Sequence, residues 1–94
     1  MTDILDELHA TIVDRKRFPR PGSYTNRLLD EGRSRIAQKV GEEAVEVVVA
    51  ALSQTSKQQI EETCDLLYHL LVLMADLDIT LADVFAELER RHRK

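Results

Sequence analysis

The chain has 94 residues, of which 44% are hydrophobic and only 4% aromatic, with a formal net charge of −4. This length predicts one small domain over residues 1–94, and no apolar stretch reaches the roughly 20 residues that cross a membrane. The N-terminus lacks the basic start and apolar run of a signal peptide, and the lone Cys64 excludes an intrachain disulfide. We therefore expect a soluble, cytoplasmic protein. Abundant Ala, Val, Leu, Glu and Arg, with only three glycines and two prolines, predict an all-α fold.

The first half of the chain predicts one medium helix and one short helix. Thr2 is a candidate cap for a helix of roughly residues 3–16. The prolines and glycine of residues 18–22 end that helix. Ser23 can cap a short helix that stops at Gly32, a residue type favoured after the last helical turn.

Two long helices and a final short one follow. Ser34 begins a helix that runs to about Leu52. Ser56 begins the next, where Ser-Lys-Gln-Gln fits a capping box, and this helix runs to about residue 77. Thr80 caps the last helix. A connection of about four residues makes the two long helices antiparallel neighbours.

Two apolar runs predict that the long helices are buried on all sides. Residues 47–52 contain no polar side chain, and residues 66–75 contain few. A chain of 94 residues has little else to cover both helices. The sequence therefore predicts a homodimer in which two long helix hairpins form a four-helix bundle, with short flanking helices.

Two acidic signatures occupy the long helices. Glu42-Glu43-x-x-Glu46 lies on the first and Glu62-x-x-Asp65 on the second, and carboxylates three residues apart share one helical face. Antiparallel packing would let Glu43 and Glu46 face Glu62 and Asp65. Glu46 and Asp65 adjoin the apolar runs, so we expect their carboxylates to be partly buried. Such a cluster repels itself unless it binds protons, basic side chains or a hard cation such as magnesium. The alternative is an ordinary solvated acidic face.

Charge is distributed unevenly along the chain. Residues 15–39 carry eight basic groups, whereas residues 40–89 carry eleven acids and one lysine. One interpretation is neutralisation between the two segments. The other is a shared anionic ligand, in which the basic segment grips phosphates and the acids hold a metal that grips the same phosphates.

Three blocks of the sequence resemble a known family. The blocks are Gly22-Ser23-Tyr24-Thr25-x-x-Leu28, Lys39-Val40-Gly41-Glu42-Glu43-Ala44-x-Glu46 and Asp65-Leu66-Leu67-Tyr68-His69. The family that they resemble is phosphoribosyl-ATP pyrophosphohydrolase, one of the all-α, MazG-like nucleotide pyrophosphohydrolases, and the resemblance covers roughly residues 4–92. Some relatives are fused to the next enzyme of the pathway, which we expect to be a separate protein here.

The resemblance implies magnesium-dependent hydrolysis of phosphoribosyl-ATP to phosphoribosyl-AMP and pyrophosphate, the second step of histidine biosynthesis. It implies that Glu43, Glu46, Glu62 and Asp65 are metal ligands. Glu42 lies about 100° round the helix from Glu43. Our hypothesis is that Glu42 orients or deprotonates the attacking water.

Five further residues are candidates for the substrate side of the site. Ser23, Tyr24 and Thr25 lie at a helix start, where free amides and hydroxyls suit a phosphate, although a plain helix cap explains them equally simply. Lys39 can hold a phosphate or pair with Glu43. The resemblance assigns His69 an orienting or substrate-side role, whereas an isolated histidine in a buried helix is more often a hydrogen-bonded core residue.

Two other functions remain alternatives. One is a related house-cleaning enzyme that hydrolyses ordinary or damaged nucleoside triphosphates, which would share the acids but differ in the substrate-side blocks. The other is a non-enzymatic helical dimer that binds a protein partner. Nucleic-acid binding is disfavoured because the acidic helices would repel a phosphate backbone and stacking aromatics are few.

Overall fold

The computed structural model describes residues 3–93, and these residues form five α-helices and no β-strand. The all-α prediction is therefore confirmed. The bounds of the helices are Ile4–Arg17 (α1), Tyr24–Glu31 (α2), Arg33–Ser53 (α3), Ser56–Asp76 (α4) and Leu81–His92 (α5).

Two helix starts lie where the sequence placed them. The Ser23 hydroxyl caps α2 by accepting a hydrogen bond of 3.2 Å from the backbone N–H of Asn26. The Thr80 hydroxyl accepts from the N–H of Asp83, and the Asp83 carboxylate accepts in turn from the N–H of Thr80, both at 3.1 Å. These contacts satisfy N–H groups that have no partner within the first turn of a helix.

Two other predicted caps are wrong by one residue. The N-cap of α1 is Asp3, whose carboxylate accepts from the N–H of Leu5 at 2.9 Å; the predicted cap, Thr2, lies outside the described residues. The N-cap of α4 is Thr55 rather than Ser56, because Gln58 stands three residues after Thr55 and the two residues form the reciprocal capping box.

The predicted start of α3 at Ser34 is also wrong, because Arg33 is already helical. Gly32 serves both as the C-cap of α2, as predicted, and as the N-cap of α3. Its φ of 98° lies in a region that side chains disfavour, which explains the glycine. The N–H of Ile36 donates to the Gly32 carbonyl at 3.1 Å, so the new helix begins without a side-chain cap.

The two long helices form an antiparallel hairpin. Only residues 54–55 connect them, and α3 and α4 share the most extensive contact between helices of the described chain. Near the connection the Gln59 side chain donates to the Ala50 carbonyl at 3.0 Å. At the open end Arg33 pairs with Asp76 at 2.7 Å. Pairing at both ends fixes the register that carries the acidic signatures.

The hydrophobic core lies at the open end of the hairpin. There α1, α2 and α5 pack onto the start of α3 and the second half of α4. The largest fully buried side chains of the described residues come from α1, α2, α3 and α4; they are Ile12, Leu28, Ile36 and Val72. Because only this end is covered, the Cα radius of gyration is 14.5 Å, larger than the roughly 12 Å of a typical globular domain of this length.

The connecting end of the hairpin exposes apolar side chains. On α3, Val45, Val48 and Leu52 are 60%, 58% and 84% exposed, and on α4 Ile60 is 64% exposed. We predicted that both apolar runs are buried. Within the described chain the run in the second half of α4 contributes to the core, whereas in the run of α3 only Ala50 is fully buried. No helix among the described residues is long and apolar enough to cross a membrane.

Candidate active site

Three carboxylates converge between the two long helices. One oxygen each of Glu43 on α3 and of Glu62 and Asp65 on α4 lies within 4.8 Å of the others. Glu43 and Glu62 are half-buried and Asp65 is exposed. The antiparallel register of the hairpin places the two acidic signatures opposite each other on adjacent helices, as the sequence predicted. Three carboxylate oxygens at this spacing are of the donor type that hard divalent cations prefer.

Glu46, the fourth predicted ligand, does not join this group of three. It lies one turn after Glu43 on α3 and is exposed. Its charge still acts on the cluster, because it is the first of the carboxylates that raise the pKa of Glu62. The expectation that Glu46 and Asp65 are partly buried is wrong for the described chain, since the face of the hairpin that carries them is open to solvent.

The surroundings of Glu62 disfavour its charged form. Burial raises its pKa above the ordinary value of 4.5, and repulsion from Glu46, Asp65, Glu43 and Glu61 raises it further. No cation of the described residues is among the influences on its pKa. A positive charge between the two helices would remove this repulsion, so the electrostatics of the cluster favour binding a cation.

Lys39 and Glu42 lie on α3 beside the cluster. The Lys39 ammonium lies 3.5 Å from a Glu43 carboxylate oxygen and 3.6 Å from a Glu42 oxygen. Burial alone would lower the pKa of Lys39, but Tyr24, Glu43 and Glu42 outweigh it and raise the pKa above 10.5. Lys39 is therefore a permanent cation at the edge of the carboxylate group, and it forms the pair with Glu43 that the sequence suggested.

Glu42 is an exposed carboxylate that stays ionised at neutral pH. A hydrogen bond of 2.9 Å from the Gln38 side chain, followed by the charges of Lys39 and Arg35, lowers the pKa of Glu42 below its ordinary value. Gln38 precedes Glu42 by one helical turn, a spacing at which side chains meet, and it had not been singled out from the sequence. A carboxylate held in this way can accept hydrogen bonds from water beside the cluster.

Tyr24 and His69 connect the start of α2 to the carboxylates. His69 is buried, and its Nδ1–H donates to the Asp65 carbonyl at 2.7 Å. A carbonyl can only accept, so in the neutral ring Nε2 accepts from the Tyr24 hydroxyl, which lies at 2.9 Å. The side chain of His69 is thus satisfied in the described chain, as expected of a core histidine, and it sits one turn after a cluster carboxylate.

The other residues of the Ser-Tyr-Thr block have structural contacts of their own. The Ser23 hydroxyl is occupied as the helix cap, and the Thr25 hydroxyl is hydrogen-bonded to the Tyr68 hydroxyl. The Tyr24 and Tyr68 rings are stacked with centroids 6.1 Å apart, and the Arg27 guanidinium carbon lies 5.0 Å from the Tyr24 centroid. Tyr68 and Arg27 were not among the predicted site residues.

Gly41 has no close neighbour outside its own helix among the described residues. A glycine within a helix costs about 1 kcal/mol relative to alanine, a cost that close approach of another backbone or a ligand beside the acids would explain. A Cβ at Gly41 would meet no atom of the described chain within 4 Å outside its own helix. The close approach is therefore not made by the described residues.

The chain is similar to one protein family along most of its length. A family model described as phosphoribosyl-ATP pyrophosphohydrolase matches residues 5–92. The chain is 46% identical over 92 residues to a protein of Sulfolobus acidocaldarius named phosphoribosyl-ATP pyrophosphatase, and the match covers 98% of this chain and 97% of that protein. It is 53% identical over 91 residues to a Metallosphaera sedula protein of the same name, covering 97% of this chain and 98% of that one.

A longer protein is also similar. The chain is 47% identical over 92 residues to the histidine biosynthesis bifunctional protein HisIE of Caldanaerobacter subterraneus subsp. tengcongensis. The match covers 98% of this chain and 45% of that protein. The resemblance inferred from the three sequence blocks is therefore confirmed.

Proposed function

The chain belongs to the phosphoribosyl-ATP pyrophosphohydrolase family, and we propose on this basis that it hydrolyses phosphoribosyl-ATP to phosphoribosyl-AMP and pyrophosphate in histidine biosynthesis. The observation that carries the proposal is the group of Glu43, Glu62 and Asp65 between the long helices, in a chain of this family. We also assign the enzyme to the cytoplasm, because its substrate derives from ATP and the free thiol of Cys64 suits a reducing compartment.

Magnesium is the proposed cofactor. The donor set fits it, because Glu43, Glu62 and Asp65 offer only carboxylate oxygens and Glu62 is destabilised by like charges. Glu46 completes the set by supplying a fourth carboxylate one turn along α3. Bound there, magnesium would neutralise negative charge on the phosphate oxygens.

Glu42 is the proposed catalytic residue. Cleavage between the α- and β-phosphates requires a water molecule aligned with the phosphorus atom. Glu42 is ionised, exposed and fixed by Gln38 at the edge of the cluster, so its carboxylate can accept a hydrogen bond from that water and hold its lone pair toward the phosphorus. Its lowered pKa favours orientation of the water over removal of its proton.

The substrate side of the site is formed by α2 and the residues that face it. Lys39 is a permanent cation that can pair with a phosphate oxygen while it restrains Glu43. The helix dipole favours a phosphate at the start of α2. This start is formed by the cap residue Ser23 and by Tyr24 and Thr25. His69 orients Tyr24 through their hydrogen bond, so the two residues act together.

We propose that the active protein is a homodimer in which two α3–α4 hairpins form a four-helix bundle. On α3 the exposed residues Val45, Val48 and Leu52 recur every three or four residues and form one stripe. On α4 the exposed residues Ile60 and Cys64 begin a parallel stripe. An exposed apolar surface of this length is typical of an interface. A second copy is the matching partner, because its hairpin presents the same stripes in the antiparallel sense.

The function is tested by measuring pyrophosphate release from phosphoribosyl-ATP, with and without magnesium, beside a panel of ordinary nucleoside triphosphates. We expect release that depends on magnesium and favours phosphoribosyl-ATP. Equal or faster release from ordinary triphosphates would move the protein to the house-cleaning class. Absence of release from every substrate would refute an enzymatic function.

The role of Glu42 is tested by Glu42→Gln. The amide keeps the size of the side chain but is a weaker acceptor, so turnover should fall by roughly a hundredfold or more. Substrate affinity should stay within about a factor of three, because the three clustered carboxylates remain. Glu61→Gln, which changes an exposed glutamate that is not in the group of three, is the control. Turnover by Glu42→Gln at the wild-type rate would refute the role.

A further inference from the structure

We propose that a cavity formed by the connection between α1 and α2 and by one side of α2 binds the phosphoribosyl group of the substrate, so that the enzyme contacts the substrate at both of its anionic ends. This inference rests on the proposed function, because it names a second contact for the same substrate. The cavity has a volume of about 410 Å³, and its lining includes Arg20, Arg27 and Asp30. A volume of this order suits a small organic ligand rather than a single ion.

The cavity is lined by two arginines that have no carboxylate partner in the part of the chain that the structure describes. Among the described residues, six of the nine arginines lie in ion pairs with Asp or Glu, and Arg20 and Arg27 are not among them. The third arginine without an ion pair, Arg17, does not line this cavity. Two guanidiniums without an ion pair in one cavity form a local positive site, and guanidinium binds phosphate through two parallel hydrogen bonds.

The wall of the cavity is held in place by a buried side chain. Asn26 is only 8% exposed. Its Oδ1 accepts from the backbone N–H of Arg20 at 2.9 Å, and its Nδ2 donates to the Arg15 carbonyl at 2.7 Å. Gly22 provides the turn, with a φ of 79°, and the prolines at 19 and 21 restrict the backbone beside it. The segment that carries Arg20 is therefore preorganised, which lowers the entropic cost of binding.

The Tyr24 ring lies between Arg27, which lines the cavity, and His69, which lies beside the carboxylate group. The Arg27 guanidinium carbon is 5.0 Å from the centroid of the Tyr24 ring, and that centroid is 5.8 Å from the centroid of the His69 ring. His69 in turn bonds the backbone of Asp65 in the carboxylate group. Tyr24 therefore lies between the arginine-lined cavity and the carboxylate group. Phosphoribosyl-ATP has the same order, since a nucleoside separates its triphosphate from its phosphoribosyl group.

Asp30 fits the sugar part of this group. A carboxylate would repel the phosphate of the ligand, but it accepts hydrogen bonds from the hydroxyls of a ribose. The combination of two guanidiniums and one carboxylate thus selects a phosphorylated sugar over free phosphate. An ordinary nucleoside triphosphate has no group to place there, so the cavity would determine the preference for phosphoribosyl-ATP.

The first experiment measures kcat/KM for phosphoribosyl-ATP and for ATP with Arg20→Ala, Arg27→Ala and the control Arg17→Ala. Loss of one charge-assisted contact should raise KM for phosphoribosyl-ATP roughly tenfold or more, with a much smaller change in kcat. The ratio of the two kcat/KM values should fall by the same factor. Arg17→Ala removes an equal charge at the end of α1, three residues before Arg20, and should leave the ratio as in the wild type.

The second experiment measures binding of ribose 5-phosphate by thermal shift in the absence of magnesium. We expect stabilisation of the wild type and of Glu62→Gln, because the cavity does not use the carboxylate cluster. Arg20→Ala and Arg27→Ala should lose this stabilisation. Asp30→Ala should weaken binding of ribose 5-phosphate without weakening that of inorganic phosphate. Unfolding temperatures without ligand verify that each variant folds.

The outcomes separate this inference from the proposed function. If wild-type protein hydrolyses phosphoribosyl-ATP but both arginine variants keep its KM and selectivity, the inference is wrong and the function stands. If ribose 5-phosphate binds only with magnesium, or binds equally well to both arginine variants, the inference is also wrong. If the wild type binds ribose 5-phosphate through the arginines but does not release pyrophosphate, the proposed function fails and the sugar-phosphate site stands.

Discussion

Removal of two methyl groups at Val48 should weaken the proposed dimer. Val48 lies in the middle of the exposed stripe of α3 and is 58% exposed in the described chain. Burial of a methyl or methylene group is worth about 0.8 kcal/mol. Val48→Ala removes two such groups, and somewhat more than half of their surface is available for burial by a partner. The loss of association free energy is therefore about 1 kcal/mol per subunit. The substitution occurs twice in a symmetric dimer, and the dissociation constant should rise roughly 30-fold.

The assay is sedimentation velocity over a range of protein concentrations. Leu88→Ala is the matched control, because Leu88 is 55% exposed but lies on α5, away from the hairpin stripes. It should leave the dissociation constant within about a factor of two, since it changes no side chain of the proposed interface.

A stronger change at the same position extends the test. Val48→Asp would bury a charge in each copy and should give monomers throughout the concentration range. Because Val48 is largely exposed in the described chain, the helical signal in circular dichroism should be retained. Equal dissociation constants for wild type and Val48→Ala, or a wild type that is monomeric at all concentrations, would refute the reasoning.

Three further substitutions test the cluster, the link to α2 and the core. The raised pKa of Glu62 means that its charged form is disfavoured in the folded state, so its contribution to stability is greatest below pH 4.5 and declines as pH rises through its folded pKa. Glu62→Gln should therefore raise the unfolding temperature of the metal-free protein at neutral pH but not near pH 3, and it should abolish stabilisation by magnesium. A gain in unfolding temperature near pH 3 but not at neutral pH would contradict this explanation. Tyr24→Phe removes the hydrogen bond to His69 and should lower the free energy of unfolding by about 1 kcal/mol in denaturant titrations, whereas an unchanged value would show that the bond adds nothing. Val72→Ala, at a position that is 0% exposed, should lower the free energy of unfolding by about 2 kcal/mol and lower Tm by roughly 10 °C; an unchanged melting curve would contradict this prediction.

Much of the fold follows from local sequence. Ser23, Gly32 and Thr80 mark helix boundaries because their hydrogen bonds or backbone angles involve only neighbouring residues. The wrong caps show the limit of this reasoning. Thr55 and Ser56 are both good cap residues, and the choice between them depends on whether Gln58 or Gln59 can reach back to the cap.

The carboxylate group could be predicted because it needs only helical periodicity and a short connection. Spacing placed Glu43 and Glu46 on one face and Glu62 and Asp65 on another, and the short connection brought the two faces together. The degree of burial was not predictable. Glu46 is exposed and separate from the group of three, because its environment depends on which side of the hairpin the rest of the chain covers.

The sequence by itself determined the helices, the antiparallel hairpin and the family, since these depend on periodicity, turn residues and motifs that are local in the chain. Only the tertiary structure decided which contacts these elements make. The hydrogen bonds from Tyr24 to His69 and from Asn26 to Arg20 and Arg15 depend on the angle at which α2 packs against its neighbours. No local pattern encodes that angle, because it results from the packing of side chains that are far apart in the sequence.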